Sequence, residues 1–207
     1  MGLKKPSTQI GLHEVVEREH TRDLPGLLQQ LKDPEAGNRR WAARDLAQFP
    51  ACTAALGEAL LSERDTSVRT ALFTTLAGFA SDEAVNALLP LLRSEDAGLR
   101  NGAIEALTEM PQAVAPRIQA LLHDSDPDVR IFTVNLLAEL RHTQVNTWLR
   151  YVLQQENAIN VVAAAIEVMT EVGELQDVPV LREVGQRFDD PFVGFAADMA
   201  IARIEAA

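Results

Sequence analysis

The sequence predicts an all-α chain, a right-handed α-solenoid (superhelix) of about six helical pairs with an amino-terminal capping helix. Three observations predict it. First, an arginine-centred motif returns at a nearly constant period: Arg39, Arg69, Arg100 and Arg130 are separated by 30, 31 and 30 residues. Second, a leucine trails each arginine at a fixed offset, at Leu46, Leu76, Leu107 and Leu137. Third, alanine and leucine dominate an apolar share of 47%, while aromatic residues make up only 5%, a balance that suits close-packed helices better than sheets. A repeat of this length signals helical hairpins that cannot bury both faces alone and stack to complete one core.

The elements follow in order. Residues 1–22 read as an arm and capping helix, the helix covering 8–22. The solenoid occupies 23–207. Asp23 and Pro25 open the first repeat helix, an acid at the N-cap and a proline whose missing N–H is tolerated there. The first helix of each unit carries paired leucines, as in LPGLLQQL (24–31), ALGEALL (55–61), NALLPLL (86–92) and RIQALL (117–122). A short polar turn follows each. The second helices are AGNRRWAARDL (36–46), DTSVRTALFTTL (65–76), DAGLRNGAIEAL (96–107) and DPDVRIFTVNLL (126–137). In the last of these, Val129, Phe132, Thr133, Leu136 and Leu137 fall on one helical face. Asp126 is placed as N-cap, Pro127 at the first helical position, and Asp128 in the first turn, where the helix dipole favours negative charge. Two later units depart from the pattern. ENAINVVAAAIEVM (156–169) has Asn160 or Val162 where the arginine would stand, and DDPFVGFAADMAIARI (189–204) has Gly194 there. Terminal repeats of a solenoid are commonly atypical because one side lacks a neighbour.

The D-x-x-V/L-R cores at Asp65–Arg69, Asp96–Arg100 and Asp126–Arg130, with their trailing leucines, resemble HEAT repeats, particularly the subtype found in phycobilisome-lyase proteins. The resemblance covers residues 24–142. It implies a half-buried ladder in which Asp65, Asp96 and Asp126 pair with Arg69, Arg100 and Arg130 of their own or the adjacent unit. Arg39 belongs to the same column. It also implies that the second helices line a concave surface. Its information lies in the fold, since sites are grafted onto folds.

A candidate surface follows from the same register. The fifth residue after Val68, Leu99 and Val129 is Phe73, Ile104 and Val134. At about 100° per residue this column lies about 140° from the buried residue that starts the count. With Asn101, Glu105 and Asn135 beside it, it makes a hypothetical protein-binding groove; the alternative is packing against the neighbouring second helix. A second cluster, His13, Glu17 and His20, shares one helical face and consists of zinc- or iron-competent residue types, but it lacks the second histidine of HExxH. Deoxyhypusine hydroxylase, a HEAT-repeat enzyme, uses repeated His-Glu pairs, and His13-Glu14 is the only such pair here. No cofactor and no catalytic residues are expected. Cys52 has no histidine near it in sequence and reads as a buried thiol. His123 and His142 lie near turns, and no glycine-rich phosphate loop is present.

Charge narrows the partners. The formal net charge is −11, and it is unevenly spread. Residues 1–50 hold eight Lys/Arg against seven Asp/Glu, and residues 51–207 hold eleven against twenty-three. Lysine occurs only at Lys4, Lys5 and Lys32. Such a chain repels phosphate over most of its length, so no nucleic acid is expected. No apolar run approaches the roughly 20 residues of a membrane span. No signal-peptide core precedes the repeats, and a single cysteine suits a reducing compartment, so the expected location is cytoplasmic. The expected function is non-enzymatic: an adaptor or scaffold presenting an acidic, partly apolar concave surface to a basic or neutral protein partner. The apolar carboxyl-terminal end is compatible with a homodimer. The resemblance supplies an alternative from another class, a bilin lyase or lyase-like chaperone for a tetrapyrrole-bearing protein.

Overall fold

Alternating leucine-rich and arginine-bearing helices build two layers with the core between them. A computed structural model describes residues 20–206. Among these residues there are twelve α-helices, forming six consecutive pairs. The pairs are α1 (Leu24–Gln30) with α2 (Ala36–Asp45), α3 (Thr53–Ser62) with α4 (Thr66–Phe79), and α5 (Asp82–Leu88) with α6 (Ala97–Thr108). They continue as α7 (Pro111–Leu122) with α8 (Pro127–Glu139), α9 (Val145–Gln155) with α10 (Ile159–Val172), and α11 (Val178–Arg187) with α12 (Pro191–Ala206). The second helices α2, α4, α6, α8, α10 and α12 pack side by side in chain order. The first helices α3, α5, α7, α9 and α11 do the same on the other layer. The expected helix over 8–22 lies outside the described residues except for its last three, which are not helical and lead into α1 through bends at His20 and Arg22.

The recurrent apolar positions fill the space between the layers. Leu46, Leu76, Leu107 and Leu137 are all fully buried, and Val68, Leu99 and Val129 lie beside them in the core. Each buried leucine contributes roughly 1.5–3 kcal/mol through area removed from water. Facing them from the first helices are Leu56, Leu60, Leu88, Ile118, Leu149 and Leu181. Polar links cross the second-helix layer too: Thr75 Oγ1 on α4 donates to Ala43 O on α2 at 2.8 Å, and Arg203 on α12 donates to Thr170 O and Glu171 on α10 at 3.1 and 2.9 Å.

Local chemistry sets the helix ends. Asp23, Asp65, Asp96 and Asp126 each cap a helix, their carboxylates accepting first-turn backbone N–H groups. Ser81 does so for α5. Pro90 ends α5 early, because it has no N–H to donate; NALLPLL is α-helical to Leu88 and continues as a 3₁₀ turn from Leu89 to Arg93. α4 closes on Ala80 in the left-handed region at φ 46°, the one described non-glycine residue with positive φ. No described helix is long and apolar enough to cross a membrane.

Candidate functional site

The arginine column forms a series of staples at the edges of the two layers. Counted from its N-cap, each second-helix arginine occupies the fourth position. Each donates to the carbonyl six residues back: Arg39 Nη1 to Asp33 O at 2.9 Å, Arg69 Nε to Glu63 O at 2.8 Å, Arg100 Nη1 to Ser94 O at 2.7 Å and Arg130 Nη1 to Asp124 O at 2.7 Å. The same guanidinium then reaches forward to the next unit. Arg39 clasps both oxygens of Glu63, with Nε–Oε2 at 2.7 Å and Nη2–Oε1 at 2.9 Å. Arg130 clasps Glu156 in the same way, at 2.7 and 3.2 Å. Arg69 takes Asp96 at 2.9 Å.

These acids are only partly the ones the resemblance implies. Asp96 pairs with Arg69 of the preceding unit. Asp65 instead caps α4, and Asp126 caps α8 while lying 3.7 Å from Arg93. The acids clasped by Arg39 and Arg130 are Glu63 and Glu156, each two residues before an N-cap. Among the described residues Arg100 pairs with no carboxylate. The corresponding residue two before the N-cap is Asp124, one methylene shorter than Glu63 or Glu156, and Arg93 takes it. Arg100 lies over the Phe132 ring at 5.1 Å instead, so Phe132 is half-buried at the edge of the face assigned to it. The signal for Glu63 and Glu156 was present in the sequence as an acid at a fixed offset, two residues upstream of the cap.

Electrostatics follows this geometry. The hydrogen bonds from Arg39 hold the Glu63 carboxyl below its ordinary range against the opposing effect of burial; the N–H groups of Asp65 and Arg64 add to it. Burial pushes Glu156 up, and the bonds from Arg130, Ala158 N and Asn157 N outweigh it to leave the carboxyl lowered. The arginine column is therefore occupied within the scaffold.

Beyond α8 the staple changes source. The N-cap at Ala158 places Val162, not Asn160, at the arginine position of α10. Gly194 holds that position in α12, where its backbone closes on Gly185 of α11. Arg187, at the end of α11, now donates to Gln154 O and Glu156 O, and Arg150 pairs with the fully buried Asp177.

The outer face of the second helices lies opposite this core. The residues five and nine positions after each N-cap fall there. They are Arg40 and Arg44 on α2, Thr70 and Thr74 on α4, Asn101 and Glu105 on α6, Ile131 and Asn135 on α8, Ala163 and Glu167 on α10, and Phe195 and Met199 on α12. All are exposed or half-exposed. The face runs from basic, through hydroxyl and acidic, to apolar. Phe195 is 64% exposed and Met199 54%, with Phe192 beside them.

Three of the six candidate surface residues, Asn101, Glu105 and Asn135, lie on this face. The apolar three do not project from it. Val134 is fully buried, Phe73 is 8% exposed and Ile104 is half-buried. The reason is angular: the count started at Val68, Leu99 and Val129, which stand at one side of the buried arc. From the centre of that arc the column lies about 110° away, on the flank that meets the next second helix. Phe73 shows the contact directly, since a Cβ built on Gly102 of α6 would stand 2.3 Å from its ring.

That contact opens a groove. Gly98 and Gly102 put no side chains on the flank of α6 that faces α4, leaving a trough of about 970 Å³ lined by Thr70, Phe73, Thr74, Asn101 and Glu105. A smaller trough of about 290 Å³ lies between α2 and α4, beyond the ridge of Thr70 and Thr74.

The remaining candidates are placed as follows. His13 and Glu17 lie outside the described residues, and His20 sits in the bend before α1. Among the described residues no group of three His, Cys, Asp or Glu is arranged to hold a metal. Cys52 is buried, which pushes its thiol pKa up, and its Sγ contacts Leu46 O at 3.8 Å. His123 and His142 join neighbouring units through aromatic contacts that sequence reasoning missed. His142 stacks on Trp148 at 5.0 Å. His123 Nδ1 stands 2.6 Å from Gln119 O, which only accepts, so Nε2 is the atom that accepts from the Tyr151 hydroxyl.

Comparison with known proteins agrees with this architecture. The HEAT-repeat family pattern matches residues 24–108 and 114–202. A protein of Pseudanabaena tenuis described as "Uncharacterized phycocyanin operon protein Z" is 25% identical over 190 residues, covering 86% of this chain and 93% of that one. Among solved structures, an archaeal HEAT-like repeats protein from Thermococcus onnurineus NA1 is 15% identical, with a TM-score of 0.42 over 87% of this chain and 86% of its own. A designed armadillo repeat protein is 17% identical, with a TM-score of 0.40 over 88% of this chain and all of its own. With its family pattern spread over nearly the whole described chain, and its helical pairs stacked as that pattern requires, this protein belongs to the HEAT-repeat family.

Proposed function

We propose that the protein is a non-enzymatic interaction module whose second-helix face docks a partner protein carrying basic and apolar side chains. One observation carries the reading. The same face that holds the α4–α6 groove also holds the carboxylates Glu105, Glu109, Glu139 and Glu167, none of them ion-paired among the described residues, and ends on exposed Phe195 and Met199. The column arginines Arg39, Arg69 and Arg130 are turned inward to carbonyls and acids, so beyond the Arg40 and Arg44 end the groove stretch of this surface is negative. Apolar residues at its far end supply the desolvated contacts that a polar face alone lacks.

The alternative, a bilin lyase or lyase-like chaperone, comes from the resemblance of the repeats to those of phycobilisome-lyase proteins; the name of the Pseudanabaena relative speaks only of a phycocyanin operon. The groove argues against it: a tetrapyrrole carries propionates, and the carboxylates of Glu105, Glu109 and Glu139 repel them.

Photo-crosslinking in the native cell tests the docking face. A benzophenone side chain at Thr74, Asn135 or Phe195 should give protein adducts, and one at Gln119 or Arg182 on the first helices should give none. Adducts from the first-helix positions alone would refute the reading.

A further inference from the structure

We propose that the groove between α4 and α6 seats an apolar side chain from a lysine- or arginine-rich segment of the partner. That side chain lies against Phe73, and its flanking cations face Glu105, Glu109 and Glu139. The inference deepens the docking-face reading and rests on it.

Shape comes first. On the flank of α6 that faces α4, Gly98 and Gly102 present no side chain. Phe73 therefore reaches across and lies on the α6 backbone, and one edge of its ring becomes the groove floor. The trough follows α4, whose 14 residues rise about 20 Å. An extended segment advances about 3.3 Å per residue, so about six residues span it. The space is thus longer than any one side chain, and it fits a stretch of polypeptide.

Hydrogen bonding and charge choose the chemistry of that stretch. Thr70 Oγ1 donates to Thr66 O at 2.9 Å, and Thr74 Oγ1 donates to Thr70 O at 2.8 Å. With their hydrogens used inside α4, these walls present methyl groups and lone pairs. These two hydroxyls accept hydrogen bonds from the groove and do not donate into it; Asn101, also in the lining, can do both. Arg69, the cation at one end, is taken by Glu63 O and Asp96. Glu105, Glu109 and Glu139 line the groove, and among the described residues none of them is ion-paired. A ligand rich in donors and positive charge suits the two hydroxyls and the three carboxylates, while an anion is repelled by Glu105, Glu109 and Glu139. The Phe73 floor requires that one of its residues be apolar.

The test uses the full chain and fluorescence anisotropy with three labelled synthetic peptides: one alternating lysine and leucine, one with glutamate for lysine, and one with serine for leucine. The lysine–leucine peptide should bind, and each counterpart should bind about tenfold more weakly. Two variants change only exposed positions: Thr74→Trp, which fills the groove, and the triple change Glu105→Gln, Glu109→Gln, Glu139→Gln. Each should weaken the lysine–leucine peptide about tenfold while keeping the wild-type thermal melt, and raised salt should weaken wild type more than the triple variant. Binding unchanged in both variants but lost on Phe195→Ser with Met199→Ser overturns the groove and leaves the docking face standing. Equal binding of the acidic peptide overturns the charge selection, and no binding of any peptide overturns the inference. The docking face itself is then decided by the crosslinking pattern.

Discussion

Replacing Glu63 by alanine should loosen the first helical pair from the second. The carboxylate accepts four hydrogen bonds: two from Arg39, at 2.7 and 2.9 Å, and one each from Arg64 N and Asp65 N, both at 2.8 Å. The Arg39 side chain is 19% exposed and that of Glu63 7%, so neither charge is fully hydrated when its partner is removed. Removing one partner of a fully buried pair costs about 3–5 kcal/mol. Arg39 keeps Asp33 O and Pro34 O and has some access to water, which brings the expectation to about 2–3 kcal/mol. A double-mutant cycle with Arg39→Met isolates the pair, with an expected coupling of about 1.5 kcal/mol. The assay is urea unfolding followed by far-UV circular dichroism, combined with amide hydrogen exchange. Because stacked repeats couple mainly to their neighbours, protection should fall first in α1 and α2 and stay close to wild type in α9 to α12. The Arg130–Glu156 clasp has the same geometry, so Glu156→Ala should reproduce the magnitude with the exchange defect centred on α8 and α10. A coupling below about 0.5 kcal/mol, or an even loss of protection along the chain, would refute the staple account.

Acid should act through the same carboxylates. Glu63 and Glu156 are lowered in the folded chain, so their stabilisation is present above the unfolded glutamate pKa of about 4.3 and is lost as pH falls through the folded values. The double variant Glu63→Gln, Glu156→Gln should show a shallower acid limb in a series of melts; an unchanged limb would mean that other groups set it. Ala80→Gly should stabilise by about 0.5–1 kcal/mol in urea titration, because alanine at φ 46° carries a strain that glycine does not. Destabilisation would show that the methyl group makes a compensating contact. Thr75→Val should cost about 1 kcal/mol by the same measurement through loss of the bond to Ala43 O, and a neutral result would show that α2 and α4 are held by packing alone.

How much of this was legible depends on the kind of residue. Helical pairs, caps and the trailing leucines were, because each is a local pattern: an acid before a helix, or an apolar residue every three or four positions. The clasping acids were half legible. Glu63 and Glu156 repeat at the same offset from an N-cap, but Asp65, Asp96 and Asp126 carry the stronger motif and drew the assignment. Val134 and Phe73 were misplaced toward the surface because a helical wheel has no neighbours drawn on it. The flank that α6 and α8 cover looks the same in sequence as the flank left open.

By itself the sequence determined the period, the six helix pairs, the burial of Leu46, Leu76, Leu107 and Leu137, and a net negative charge carried by residues 51–207. Only the tertiary structure decided which acid each arginine clasps, where the arginine column gives way to Arg150 and Arg187, and that two glycines on α6 leave a groove over Phe73. The division has one physical cause. Periodicity and capping are written within a few residues of chain, whereas side-chain reach and helix-to-helix clearance depend on the neighbouring repeat about thirty residues away.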